Sequence, residues 1–257
     1  GHFRAIMKAF RHRSFLILTL AGVFAYANQG LSAALATYIN TYVWAFPADI
    51  IGILTVATLV GVILAFFLAT FVSHRMGKRN GAILCICIYL VTAIAPLSLR
   101  YFDLFLKNGD ALLLPVLMAL VIVGTAFAVA NGILGASMMS DVVEEAEEQS
   151  GERQEGVFFA GSFFMQKCVS GFGLFLSGAI LSIVAFPTAA MPGQVPEQVL
   201  DNLIAIYCSL KIVLGIATIV VLARFPITKA HHEARLARLA QTASHAAPLP
   251  GSEPELR

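Results

Sequence analysis

The sequence predicts an all-α membrane protein with six transmembrane helices. Three observations carry that expectation. Of 257 residues 58% are hydrophobic and only 12% are charged, against ~45–50% and ~25% in soluble domains. The mean hydropathy is +0.82. The apolar residues also come in runs long enough for helices, which need ~20 residues to cross a bilayer, whereas membrane strands need only ~9–11 and alternate.

The runs fall at 15–44, 50–72, 81–99, 111–139, 157–186 and 201–223, each bounded by charge or by Pro and Gly. A basic lead over 1–13 precedes the first run, the bundle occupies 14–225, and a tail follows over 226–257. The first run is too long for a straight crossing of a ~30 Å core, and Asn28-Gln29-Gly30 is where it is expected to bend or open. The second and third are joined by "SHRMGKRN" (73–80), with a tight turn at Gly77. The fourth leads into an acidic run, and the fifth and sixth each hold one lysine, Lys167 and Lys211. In the tail, 229–243 has the composition of an amphipathic surface helix, and the remainder that of disorder. The basic lead has no cleavage site after its apolar run, so no signal peptide is expected there. The chain opens Gly1-His2-Phe3 without a start Met and is expected to be a piece of something longer.

Direction follows from lysine and arginine in short loops. One side carries Arg4, Lys8, Arg11 and Arg13, then Arg75, Lys78 and Arg79, then Arg153, then Arg224 and four more in the tail. The other side has Arg100 and Lys107 only. Both ends are therefore expected in the cytoplasm, in a cell (inner) membrane. Two groups of three helices then start from opposite sides, which permits a 3+3 inverted repeat. No residue-level repeat supports it.

Enzyme chemistry is not expected. All six His lie in loops or ends, and no metal, nucleophile-elbow or phosphate-loop pattern appears. Cys85, Cys87, Cys168 and Cys208 lack metal-site spacing and read as packing residues. Nothing points to a cofactor or to nucleic acid.

Charges and amides inside hydrocarbon remain. Lys167 lies about 16 Å into its helix, too deep to snorkel, where a charge costs at least ~2.5–3.5 kcal/mol. Gly171 and Gly178 share its face, so that stripe is expected to turn inward to a cavity. Lys211 is read as lying within ~10 Å of an edge, where snorkelling is the better account. Its face also holds Tyr207, Gly215 and Thr218. Tyr26, Asn28, Gln29 and Ser32 in the first span, Asn131 in the fourth and Gln166 beside Lys167 form a polar set. Amides there either bind each other or face a hydroxyl-rich ligand. Seven carboxylates fall within 141–155. If helical, that run sets Asp141, Glu144, Glu148, Glu152 and Glu155 on one face, opposite the basic loop of Arg75, Lys78 and Arg79. The two either dock or are separately solvated.

The pattern D-V-V-E-x-x-E-x-x-S-G-x-R-x-E-G from Asp141 to Gly156, with Lys167 following, resembles the glycoside–pentoside–hexuronide:cation symporters. These are the melibiose-permease-like branch of the major facilitator superfamily. "RFPITKAHHEARLARL" (224–239) is similar to the family's stretch after its last helix. "HRMGKRN" resembles the superfamily loop D-R-x-G-R-R, with His74 where the Asp belongs. The resemblance implies the C-terminal half of a twelve-helix major facilitator fold, symporting a sugar, glycoside or uronide with Na⁺ or H⁺ by alternating access. It implies a site at Lys167, with Asn131, Asn28, Gln29, Tyr26, Gln166 and Lys211 as further candidates. A cytoplasmic gate at Asp141, Glu144, Glu148, Arg153, Glu155, Arg75, Lys78 and Arg79 is also implied. The partners implied are the sugar-like substrate, membrane lipid and a missing N-terminal half that carries the cation-site acids. A six-span channel subunit and a lipid-moving relative are the alternatives.

Overall fold

The computed structural model describes residues 13–150 and 155–226. They form six helices and, among the described residues, no strand. We number them α1 (Arg13–Tyr38, continued by a π-helical turn Ile39–Val43), α2 (Ala48–Met76), α3 (Lys78–Tyr101), α4 (Leu113–Ser150), α5 (Glu155–Ile183) and α6 (Glu197–Leu222). All six are long and apolar enough to cross a membrane. In hydrocarbon the backbone has no water to bond, so each segment satisfies its own N–H and C=O groups as a helix.

The punctuation is local. Pro47 and Pro196 stand just before α2 and α6, where a missing N–H costs nothing. One residue, Gly77, separates α2 from α3. Its φ of 77° suits glycine, and its N–H closes α2 on Ser73 O at 2.9 Å. Lys78 and Arg79, expected in a loop, thus form the first turn of α3. The helix does not open at Asn28-Gln29-Gly30, where a bend or opening was expected. Those residues are helical, and the irregularity lies further on, at the π-helical turn. The acidic run is helical too. Helix α4 continues to Ser150, and its 38 residues span ~57 Å, well beyond a ~30 Å core. The tail helix and most of the basic lead lie outside the described residues, as does Arg153.

Following the main contacts, the helices run in the order α2–α4–α3–α6–α1–α5, with α2 and α5 at the ends. Two close approaches tighten this order. A Cβ on Gly173 would stand 2.7 Å from backbone atoms of Gly30 and Leu31, so α5 rides directly on α1. A Cβ on Gly61 would stand 2.7 Å from Ile122 O, and α2 rides on α4 in the same way. Small residues allow such backbone contact where apolar burial gives no drive between helices. The stripe expected to turn inward to a cavity, Gly171 and Gly178, is exposed, and a Cβ on either would meet nothing. Gly173 packs instead.

Buried apolar side chains gather in two clusters. One is at the Lys78 end, around Phe15, Cys85, Met138, Phe158 and Phe225. The other is at the Trp44 end, around Leu35, Val43, Leu113 and Leu203. Between them lies a polar layer at mid-height.

Candidate functional site

Lys211 is the centre of that layer. It lies fourteen residues after Glu197 and eleven before Leu222, about 21 and 16 Å from the two helix ends. Asn28 and Tyr89 are equally central in α1 and α3. The expectation of a lysine near an edge, free to snorkel, is therefore wrong: Lys211 is 0% exposed. The residues on its own face, Tyr207, Gly215 and Thr218, are buried with it. That stripe was the signal for an inward lysine.

Three side-chain oxygens, none of them a carboxylate's, receive its three N–H bonds. Nζ donates to Ser32 Oγ at 2.6 Å, Tyr89 OH at 2.9 Å and Asn28 Oδ1 at 3.0 Å. The Tyr89 and Tyr207 rings lie 4.6 and 5.4 Å from it, within cation–π range. Asn28 returns a bond from Nδ2 to the Lys211 carbonyl at 3.2 Å, and Ser32 Oγ bonds Asn28 O at 2.8 Å. The cage therefore ties α1, α3 and α6 together and meets the ammonium's full donor capacity. No carboxylate takes part: the described salt bridge is elsewhere. Hydrogen bonds to a charged group contribute ~1.5–3 kcal/mol each, which offsets much of the several kcal/mol that burying an ion costs.

A cavity of about 540 Å³ adjoins the cage. Two of the cage residues, Asn28 and Tyr89, are part of its wall. Tyr26 and Gln29 from α1, Asn131 from α4 and Gln166 from α5 join them. The structure thus brings together six of the residues that could meet a hydroxyl-rich ligand. Thr19 Oγ1, on the same wall, is buried with no hydrogen-bond partner among the described residues. Sequence reasoning missed Ser32's direct contact with the lysine, and missed Tyr89 altogether, because bonds across 122 and 179 residues leave no local trace.

Lys167 is not in this set. It is at mid-height, twelve residues after Glu155, as its depth required. Its side chain, however, is exposed on α5, with Phe163, Phe164, Phe172 and Phe175 exposed around it. The inward turn expected from the Gly171/Gly178 stripe does not occur within these six helices.

At the Lys78 end, the basic and acidic segments do meet. Lys78 Nζ lies 2.6 Å from Asp141 Oδ1 and also donates to Ser137 O at 3.4 Å, joining α3 to α4. Arg79 instead donates to Phe225 O at 3.1 Å, just past α6, and Arg75 stacks over Phe71. Glu144, Glu148 and Glu155 are exposed. At the other end, Arg100 lies over Trp44 and donates to Asn108, which donates to Val43 O.

Six membrane-length helices, five of which line a largely apolar cavity with a few polar groups and a buried charge beside it, are the build of a membrane transport protein. Over residues 1–229 the chain matches the family described as MFS/sugar transport protein, and it belongs to that family. It is accordingly a multi-pass member of the major facilitator superfamily, a transporter and not an enzyme. Comparison with curated proteins found no match.

Proposed function

We infer that the chain is the C-terminal six-helix half of a cation-coupled symporter of a sugar, glycoside or uronide, rocking against a second half by alternating access. The observation that carries this is Lys167. An exposed ammonium at mid-membrane would cost at least ~2.5–3.5 kcal/mol against lipid, and ~16 Å is too far to snorkel. A second helical body covering α5 removes that cost and can supply an acid, which Lys167 does not meet among the described residues. The melibiose-permease-like motif from Asp141 to Gly156 supports the same reading.

The helix order supports an inverted repeat. Exchanging α1 with α4, α2 with α5 and α3 with α6 turns α2–α4–α3–α6–α1–α5 into its own reverse. The same exchange carries the α1–α5 glycine contact onto the α2–α4 one. In this reading Lys78–Asp141 stiffens the cytoplasmic face of the half. Both ends of the chain are cytoplasmic, and a cysteine at Arg75 labels only from inside.

The test is accumulation of labelled glycosides and uronides by the full-length protein in proteoliposomes, under an imposed Na⁺ or pH gradient. Uphill accumulation with one gradient is expected. Equilibration without accumulation under both gradients would refute symport, and ion conductance without a second half would favour a channel.

A further inference from the structure

Lys211 has its hydrogen bonds satisfied but its charge is not. Three oxygens and two aromatic rings surround Nζ, and no carboxylate is among them. Solvent does not reach it, since its exposure is 0%. Its field is therefore screened little by salt. Two of its acceptors, Asn28 and Tyr89, are themselves cavity wall, so the charge stands one side chain behind the binding surface. Nearer charges of opposite sign are absent among the described residues that form the wall. The cavity wall reaches Met139 in α4, so the acids from Asp141 onward stand just past its Lys78 end, where Asp141 is paired with Lys78, and Lys167 would add positive charge.

We propose that this cavity is an anion-selective site, and that Lys211 supplies the fixed counter-charge for a carboxylate on the substrate. The substrate class is then a sugar acid such as a uronide, in preference to a neutral sugar; this part rests on the sugar-transport reading above. The hydroxyl and amide groups of Tyr26, Gln29, Asn131 and Gln166 take the ring hydroxyls. The carboxylate sits toward the second N–H of Asn28 Nδ2, an amide whose Oδ1 the ammonium holds and whose first N–H meets the Lys211 carbonyl, with Tyr89 as wall beside it. Lys211 acts as a positioning residue, since the wall separates it from the ligand. A unit charge roughly 10 Å away at an effective dielectric near 20 is enough for at least a tenfold preference.

The experiment has two arms, both on the full-length protein in proteoliposomes. In the first, exposed Cys87 and Cys168 are replaced by Ser, and Ala25→Cys places a thiol on the cavity wall, one turn from Asn28. Its reaction rates with an anionic methanethiosulfonate (sulfonatoethyl) and a cationic one (trimethylammonioethyl) are compared. Changes in thiol reactivity affect both reagents, so their ratio reports the local potential. Lys211→Gln should lower the anionic-to-cationic ratio at least tenfold, and Lys211→Arg should retain it. An unchanged ratio in Lys211→Gln overturns the proposal.

In the second arm, which needs no change at Lys211, uptake of p-nitrophenyl β-glucuronide is compared with p-nitrophenyl β-glucoside. At least tenfold preference for the glucuronide is expected, and equal uptake or preference for the glucoside overturns the proposal. If neither sugar is taken up while the rate ratio still shifts, the sugar-transport reading and the uronide assignment fail and the anion-selective cavity stands.

Discussion

Lys167 and Lys211 stand at the same height in neighbouring parts of one bundle, and their surroundings are opposite. Lys211 is wholly enclosed, with three oxygens from α1 and α3 on its ammonium. Lys167 lies on the outer face of α5 among exposed phenylalanines. Depth alone therefore does not assign a membrane lysine a role. What distinguishes them is whether other helices of the bundle bring acceptors. For Lys211 they do. For Lys167 a second body does so only on the function proposed above.

The strongest way to break that contrast is Lys167→Leu. If the proposed symport holds, it leaves a partner acid of the full-length protein unpaired, a loss of ~3–5 kcal/mol, and coupled accumulation should collapse. In the six-helix chain alone its unfolding free energy should move by less than ~0.5 kcal/mol. Wild-type accumulation by the Leu variant would reduce Lys167 to a bystander. Asn28→Leu tests the enclosed lysine. It removes one of three acceptors from a buried ammonium and should destabilise the bundle by ~1.5–3 kcal/mol, read as a lower unfolding midpoint in detergent. An unchanged midpoint means the cage does not hold α1 to α6.

Two glycines two residues apart sharpen the point on α5. Gly173→Val forces side-chain atoms into the Gly30 backbone and should cost ~1–3 kcal/mol, while Gly171→Val on the exposed face should change the isolated chain by under ~0.5 kcal/mol. Equal effects would contradict the orientation of α5. Asp141→Asn should have the smallest effect. Its partner Lys78 has a side chain 34% exposed, so the pair contributes ~0.2–1 kcal/mol. Uptake should slow mildly at unchanged protein level, and an unaltered rate would mean that this pair takes no part in gating.

Much of the fold was legible because a bilayer imposes a length. Runs such as 50–72 and 201–223 correspond to α2 and α6 within a few residues at each end, apart from four at two boundaries. Run length did not reveal the extent of α4, because a helix leaving the membrane no longer needs apolar residues. The facing of α5 was misread for a related reason. Small residues mark a helix contact only if a neighbour is there, and Gly173, six positions after Lys167 and on another face, has the neighbour. The cage was half legible. Tyr207, Lys211, Gly215 and Thr218 share one stripe of α6, yet the acceptors Asn28, Ser32 and Tyr89 belong to other helices. The Lys78–Asp141 contact was legible as opposed charge, although only one of the three basic residues at 75–79 takes an acidic partner among the described ion pairs.

The π-helical turn at Ile39–Val43 can be regarded as a spelling change of one letter. Trp44 N–H reaches back five residues to Ile39 O at 3.0 Å, one more than an α-turn holds. A chain one residue shorter at this point could close as ordinary α-helix, with no break in its backbone bonding. Everything beyond would then turn by ~100°, carrying Trp44 away from the Phe105 ring and from beneath the Arg100 guanidinium. The surplus residue is therefore a register key. It leaves the length of the crossing free to vary by one and fixes which way the helix faces when it reaches the far surface.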